Sequence, residues 1–144
     1  MKLFKNEISE IKIRKTIPED LPLIYELYCK GQNNKISRIN DNIPVVYEEF
    51  KKFYDDKSTV RYTVTSEDDN FVGHVLVKKD NTIACELVHS KLNKGIGEKV
   101  LSKIMELESR PVYSIGIRFE NNKAKNFAIK NGFKEWYTVY RKIQ

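Results

Sequence analysis

Two glycines, Gly95 and Gly97, stand at the head of the longest run of helical periodicity in the chain: Ile96, Val100, Leu101, Ile104 and Leu107 recur on one stripe. The segment before them, Thr82 to His89, reads as a strand. A strand that passes through a glycine turn into a helix leaves backbone N–H groups uncommitted at the positive end of that helix. The glycines let an anion approach them closely. A second helix is expected after Asn121 or Asn122, with Ala124, Phe127 and Ala128 inward and Asn131-Gly132 as a left-handed ending. The chain must therefore bring a helix mouth against the end of a strand, which suits an α/β layering and a phosphate-bearing ligand.

The 144 residues suit one domain with one core, and a 40% hydrophobic content argues for a globule. No stretch approaches the ~20 apolar residues of a membrane span, and Met1 to Glu7 is too polar for a secretion leader, so the expectation is a cytoplasmic protein. The two cysteines, Cys29 and Cys85, sit in apolar company and read as buried free thiols. With two histidines, His74 and His89, and no cysteine or histidine ligand spacing, no metal site is expected. The net charge of +6 suits an anionic cofactor, but lysines and acids are interleaved along the chain. No basic and aromatic stacking motif points to nucleic acid.

Ile11 to Arg14 alternates as a strand, and Thr16-Ile17-Pro18-Glu19-Asp20 opens a helix with Thr16 as its cap and Ile24, Leu27 and Tyr28 on one face. Gly31 to Ile43 reads as a loop. Pro44 opens a helix with Val46, Phe50, Phe53 and Tyr54 inward. Three strands follow, Val60–Thr65, Phe71–Lys78 and Thr82–His89, joined by turns at Glu67–Asn70 and Asp80-Asn81. Gly73 marks a bulge or a close backbone approach. Thr82–His89 is expected to be central. Arg110-Pro111 stops the long helix, Val112–Ile117 is a strand, and Tyr137–Ile143 is the last. The order is βααβββαβαβ.

That order, with Lys94-Gly95-Ile96-Gly97 at the helix head and Asn121-x-x-Ala124-x-x-Phe127-x-x-x-x-Gly132-Phe133 after it, resembles the GNAT family of N-acetyltransferases over nearly the whole chain. The resemblance implies one GNAT-like domain over 1–144. Its fold would be a mixed, mostly antiparallel twisted sheet of about six or seven strands flanked by about four helices. It implies acetyl-CoA as co-substrate. Leu87, Val88, Leu92, Asn93, Lys94, Gly95, Ile96, Gly97, Glu98, Asn121, Ala124 and Phe127 would lie along the coenzyme. Competing phosphate loops fit less well. A dinucleotide fingerprint needs a third glycine where Val100 stands, and a Walker loop needs Lys-Ser/Thr where Glu98-Lys99 stands.

Two positions depart from the family pattern. The Gln or Arg three residues before the first glycine is Leu92, and the tyrosine whose hydroxyl protonates the departing thiolate in many members is Ala128. Lys91 or Lys94 can restore the charge. Tyr137, Tyr140 or water can stand in for the acid. Glu86, an acid in an otherwise apolar strand, is the candidate base, with His89 a lesser one. An N–H near Leu87 or Val88 would hold the developing oxyanion, while Tyr113 and Phe119, on or just after the strand that would flank the pantetheine arm, would serve packing or line the acetyl pocket. The implied reaction is direct attack of a primary amine, on a small molecule or a peptide, within a ternary complex. A CoA-binding sensor or partner-binding module with little turnover is the alternative. No nucleic acid or membrane is an expected partner. The assembly is a monomer or a homodimer, with the last strands as its edge.

Overall fold

A computed structural model describes residues 10–33, 46–88, 95–117, 121–140, 142 and 144. Strand β1 is Ile11–Lys15, a 3-10 turn is Pro18–Asp20, and helices α1 and α2 are Leu21–Asn33 and Tyr47–Tyr54. Strands β2, β3 and β4 are Val60–Ser66, Phe71–Val77 and Thr82–Leu87. Helix α3 (Ile96–Leu107), strand β5 (Ser114–Ile115) and helix α4 (Asn122–Lys130) complete the described elements. The strands form one sheet in the order β1-β2-β3-β4-β5, antiparallel up to β4 and parallel between β4 and β5.

Cross-strand neighbours share a face. Tyr62, Val64, Val75, Val77 and Ile83 pack against Ile96, Val100, Leu101 and Ile104 of α3 in the larger core. On the other face, Leu21, Ile24 and Tyr28 of α1 and Phe50 of α2 form a second core, reached by Phe71. The two tight turns follow local chemistry. Asp69 and Asn81 take positive φ, as short polar side chains tolerate, and Ser66 and Lys78 close the hairpins through hydrogen bonds with Asn70 and Thr82.

Several expectations change. The most buried strand is β3, where Val72 to Val77 are all buried, and β4 lies one place nearer the edge. Thr16 does not cap the first helical turn: its hydroxyl pairs with that of Thr63, and the Asp20 carboxylate accepts from the Ile17 N–H instead. Helix α1 runs to Asn33, past the expected break at Gly31. Val46 and Leu107 lie at element ends and are exposed, because the core stops short of them. Strand β5 has two residues rather than the six of Val112–Ile117, since β4 offers it only Thr82 and Ile83 as partners. Residues 133–140 form no strand, and Trp136, Tyr137, Val139 and Tyr140 are all exposed. Five strands are therefore seen among the described residues, where six or seven were expected.

Candidate functional site

The site begins where two strands part. Among the described residues, strands β4 and β5 pair at Thr82 with Ser114 and Ile83 with Ile115, and no further. On its other side β4 stays bound to β3: the Lys78 N–H donates to the Thr82 carbonyl, and the Val88 N–H donates to the Val72 carbonyl at 2.8 Å. Antiparallel alternation then turns the main-chain groups of Cys85 and Leu87 away from β3, toward the gap that β5 leaves. Of the two amides considered for the oxyanion, Val88 is committed to Val72, and Leu87 faces the gap.

Gly73 explains how close β3 and β4 come at this point. A Cβ there would collide with the Glu86 carbonyl oxygen and lie 2.9 Å from Leu87 Cα. Both expectations for Gly73 are met, since the β2–β3 register also shifts between Val64 and Thr65, opposite it. The result sets the height of Glu86 and Leu87 in the sheet.

The mouth of α3 lies after β4 in the chain. Gly95 is its N-cap with φ 76°, a left-handed conformation, and gives no side-chain cap. The first helical amides, from Ile96 to Glu98, have no carbonyl in a preceding turn to bond. Among the described residues nothing lies within 4 Å of where a Gly95 Cβ would stand, so none of them covers this mouth. Gly97 has a different reason for being glycine: a Cβ there would meet the Phe127 ring at 3.2 Å, so its flank is packing between α3 and α4. The Glu98 carboxylate, which would oppose an anion, sits 3.8 Å from Lys130 Nζ. Leu92, Asn93 and Lys94 lie outside the described residues, as do His89, Lys91 and Phe119.

Asn121 rather than Asn122 caps α4, its side-chain oxygen accepting from the Ala124 N–H at 3.1 Å. Gly132 has φ 92°, and the Phe133 N–H closes the ending on the Ala128 carbonyl. Ala128 itself is buried at 7%. Tyr137 and Tyr140, the suggested replacements for the missing hydroxyl, are 77% and 91% exposed. No contact seen among the described residues joins either to Glu86. Tyr113 secures local structure, since its hydroxyl accepts from the Arg110 N–H and donates to the Glu108 carbonyl, tying down the end of α3.

Glu86 belongs to a polar row that crosses the sheet beneath α1. Arg14, Thr63, His74 and Glu86 are successive register partners on β1, β2, β3 and β4. At one end Asp20 accepts two bonds from Arg14, at 2.7 and 2.9 Å, and one from Thr63. Burial alone would raise the Asp20 carboxyl, but Arg14, the Ile17 N–H and Thr63 together hold it below its ordinary value. At the other end His74 Nε2 lies 2.9 Å from Glu86 Oε1. The His74 side chain is buried, while that of Glu86 keeps 18% of its surface exposed. Sequence reasoning overlooked His74. The signal was present: 74 and 86 are equally far from Asp80 on either side of the hairpin turn, so they had to face each other.

Cys85 is exposed, not buried as expected, because it points to the α3 face where β5 no longer covers β4. Desolvation by the surrounding strands, and then the Glu86 charge, push its thiol pKa upward. Its open flank to water limits that rise, and the direction leaves a neutral thiol at pH 7, a poor nucleophile. Among the described residues no group of three or more ligating side chains could hold a metal, and no helix is long and apolar enough to cross a membrane.

No family model matches this sequence, and no curated protein matches it. Solved structures do. A spermidine N-acetyltransferase from Vibrio cholerae, in complex with CoA and spermine, matches with a TM-score of 0.73 at 16% identity, over 88% of this chain and 82% of that one. A GCN5-related N-acetyltransferase from Kribbella flavida matches with a TM-score of 0.74 at 12% identity, over 90% and 85%. A transcriptional regulator from Bacillus halodurans matches with a TM-score of 0.70 at 17% identity, over 94% and 100%. At these identities the likeness is one of fold, and the fold is that of the GNAT N-acetyltransferases.

Proposed function

We propose that this chain is an acetyl-CoA-dependent N-acetyltransferase that passes an acetyl group to a primary amine by direct attack. One observation carries the reading: β4 and β5 diverge after Ile83, leaving strand amides facing a gap. The mouth of α3, which no side chain caps and no other described residue covers, supports it as a place for a pyrophosphate. The comparisons support it at the level of fold, through an enzyme solved with CoA.

In this reading the amides of Gly95 to Glu98 hold the pyrophosphate, with Leu92, Asn93 and Lys94 alongside. Asn121, Ala124 and Phe127 form the α4 wall. Leu87 and Val88 line the thioester arm, and the Leu87 N–H holds the charge that develops on the thioester oxygen. Glu86 takes the proton of the attacking amine, directly or through one water. The C–N bond forms, the C–S bond breaks, and the thiolate receives its proton from Tyr137, Tyr140 or water, because Ala128 has no hydroxyl. An ordinary thiol of pKa ~8.5 is a fair leaving group, so that acid is an aid rather than a requirement. The chain acts as one domain over 1–144, in the cytoplasm. The acceptor is a small-molecule or peptide amine, with no nucleic acid or membrane partner, no metal, and a monomer or homodimer as the working form.

Ala128 also favours a second reading, a CoA-binding sensor with little turnover, and a regulator shares the fold. Mixing the protein with acetyl-CoA and a panel of amines, and following free thiol, separates the two. Thiol release that depends on the amine supports the enzyme, and calorimetric binding without release supports the sensor. The cofactor site is tested by Gly95→Asp, which sets a carboxylate where phosphate would lie. Aspartate tolerates positive φ better than most residues. The fold should therefore survive by circular dichroism while CoA affinity falls by about tenfold or more. Unchanged affinity would remove the pyrophosphate from the mouth of α3.

A further inference from the structure

We infer that His74 is a positioning residue for Glu86, holding one carboxylate oxygen so that the other is left for the amine proton. The inference rests on the proposed acetyl transfer and adds to it a residue that sequence reasoning did not single out.

The geometry is specific. His74 and Glu86 form a directly opposed pair on β3 and β4, and the ring nitrogen Nε2 lies 2.9 Å from Oε1. An ionised carboxylate only accepts hydrogen bonds, so Nε2 must carry the proton and donate it. The His74 side chain is 8% exposed in the strand whose residues 72–77 are all buried, so its orientation is set by packing rather than by solvent. Glu86 stands on the neighbouring strand, beside the point where β5 departs, and retains partial exposure. One member of the pair is therefore locked in the sheet and the other reaches toward solvent. A glutamate has three side-chain torsions, and a bond to a locked ring removes much of that freedom before the amine arrives.

The rest of the row explains why the ring stays in place. Thr63, the register partner of His74 on β2, is wholly buried and is held by Asp20 and Thr16. Arg14 and Asp20 neutralise each other at the far end. The polar groups under α1 thus divide into a closed cluster at β1–β2 and an open pair at β3–β4. In the transfer step the amine proton goes to Oε2 of Glu86, while the bond between His74 and Oε1 is unchanged. His74 neither gains nor loses a proton.

The test compares kcat per CoA-binding site, counted by calorimetry, with KM for acetyl-CoA, using whichever amine of the panel turns over best. His74→Phe should lower kcat by about tenfold or more, leaving the acetyl-CoA KM within about twofold. His74→Gln, whose amide nitrogen reaches as far as Nε2, should recover most of the loss. His74→Asn, which is too short, should not. That pair decides the matter even if His74→Phe fails to fold. Nitrogen-15 spectra give a readout apart from turnover: His74 should be the Nε2–H tautomer in the natural protein and lose that bias in Glu86→Leu, which has no acceptor. His89 is the only other histidine, which keeps assignment simple. Natural kcat in His74→Asn, or an Nδ1–H tautomer, would overturn the role of His74. If Glu86→Gln keeps full kcat, or no amine is acetylated at all, the role proposed for Glu86 fails, and the role of His74 falls with it.

Discussion

A methyl group on Gly73 would strike the Glu86 carbonyl and crowd Leu87, so this single hydrogen-for-methyl position governs how β4 lies at the site. Gly73→Ala should cost about 1–3 kcal/mol in urea denaturation, the usual penalty for overpacking a filled interior. It should lower turnover as well, because the backbone that must move carries both Glu86 and the Leu87 amide. A variant of natural stability would mean that the strands separate more easily than their packing suggests. Gly97 is the contrast. Its neighbour is the far end of a Phe127 ring at 3.2–3.4 Å, which can shift, so alanine there is a mild change. The same residue type thus serves three ends in one chain: strand contact at Gly73, positive φ at Gly95 and ring packing at Gly97.

Between elements, the junction of β1 with α1 depends on one carboxylate. Asp20 joins the 3-10 turn to both strands by bonding Arg14, Thr63 and the Ile17 N–H. Its pKa lies below the ordinary 3.8. A carboxyl depressed in the folded state adds stability that is fully present above its unfolded value, near 4. That stability is lost as pH falls through the lower folded value. Glu108 is held low as well, by the Tyr62 hydroxyl and Arg110 at the end of α3. Unfolding midpoints should therefore be flat near neutrality and drop below about pH 4. Asp20→Asn should cost about 1–3 kcal/mol at pH 7 and flatten that acid limb. A variant whose acid limb keeps its natural slope would remove Asp20 from the account.

For the whole molecule, the segment after α4 stands out by its exposed side chains. Trp136, Tyr137, Val139 and Tyr140 lie exposed in sequence, a run of apolar area that small monomeric proteins seldom leave uncovered. Trp136 is the only tryptophan. In dilute protein its emission should resemble that of indole in water and be freely quenched by acrylamide. A blue shift with rising concentration, tracked by sedimentation, would show a second copy covering the segment. Shielded emission at every dilution would instead mean that the strand expected at 137–143 forms within one chain.

Patterns of near neighbours were enough for much of this. Alternation in 60–65, the apolar runs bounded by turns at 71–77 and 82–87, the Asp69 and Asn81 turns, an asparagine cap at 121 or 122, the Gly132 ending and the stripe of α3 are local, and the sequence alone determined them. So too was the resemblance to the GNAT fold, which consists of local motifs in a set order. What only the tertiary structure decided depends on distant partners. Strand β5 is short because β4 gives it two residues, Cys85 is exposed because β5 leaves it, and His74 matters because a hairpin sets it against Glu86. A chain records its own periodicity residue by residue, whereas the length of a strand and the company of a carboxylate are properties of whatever lies across from them.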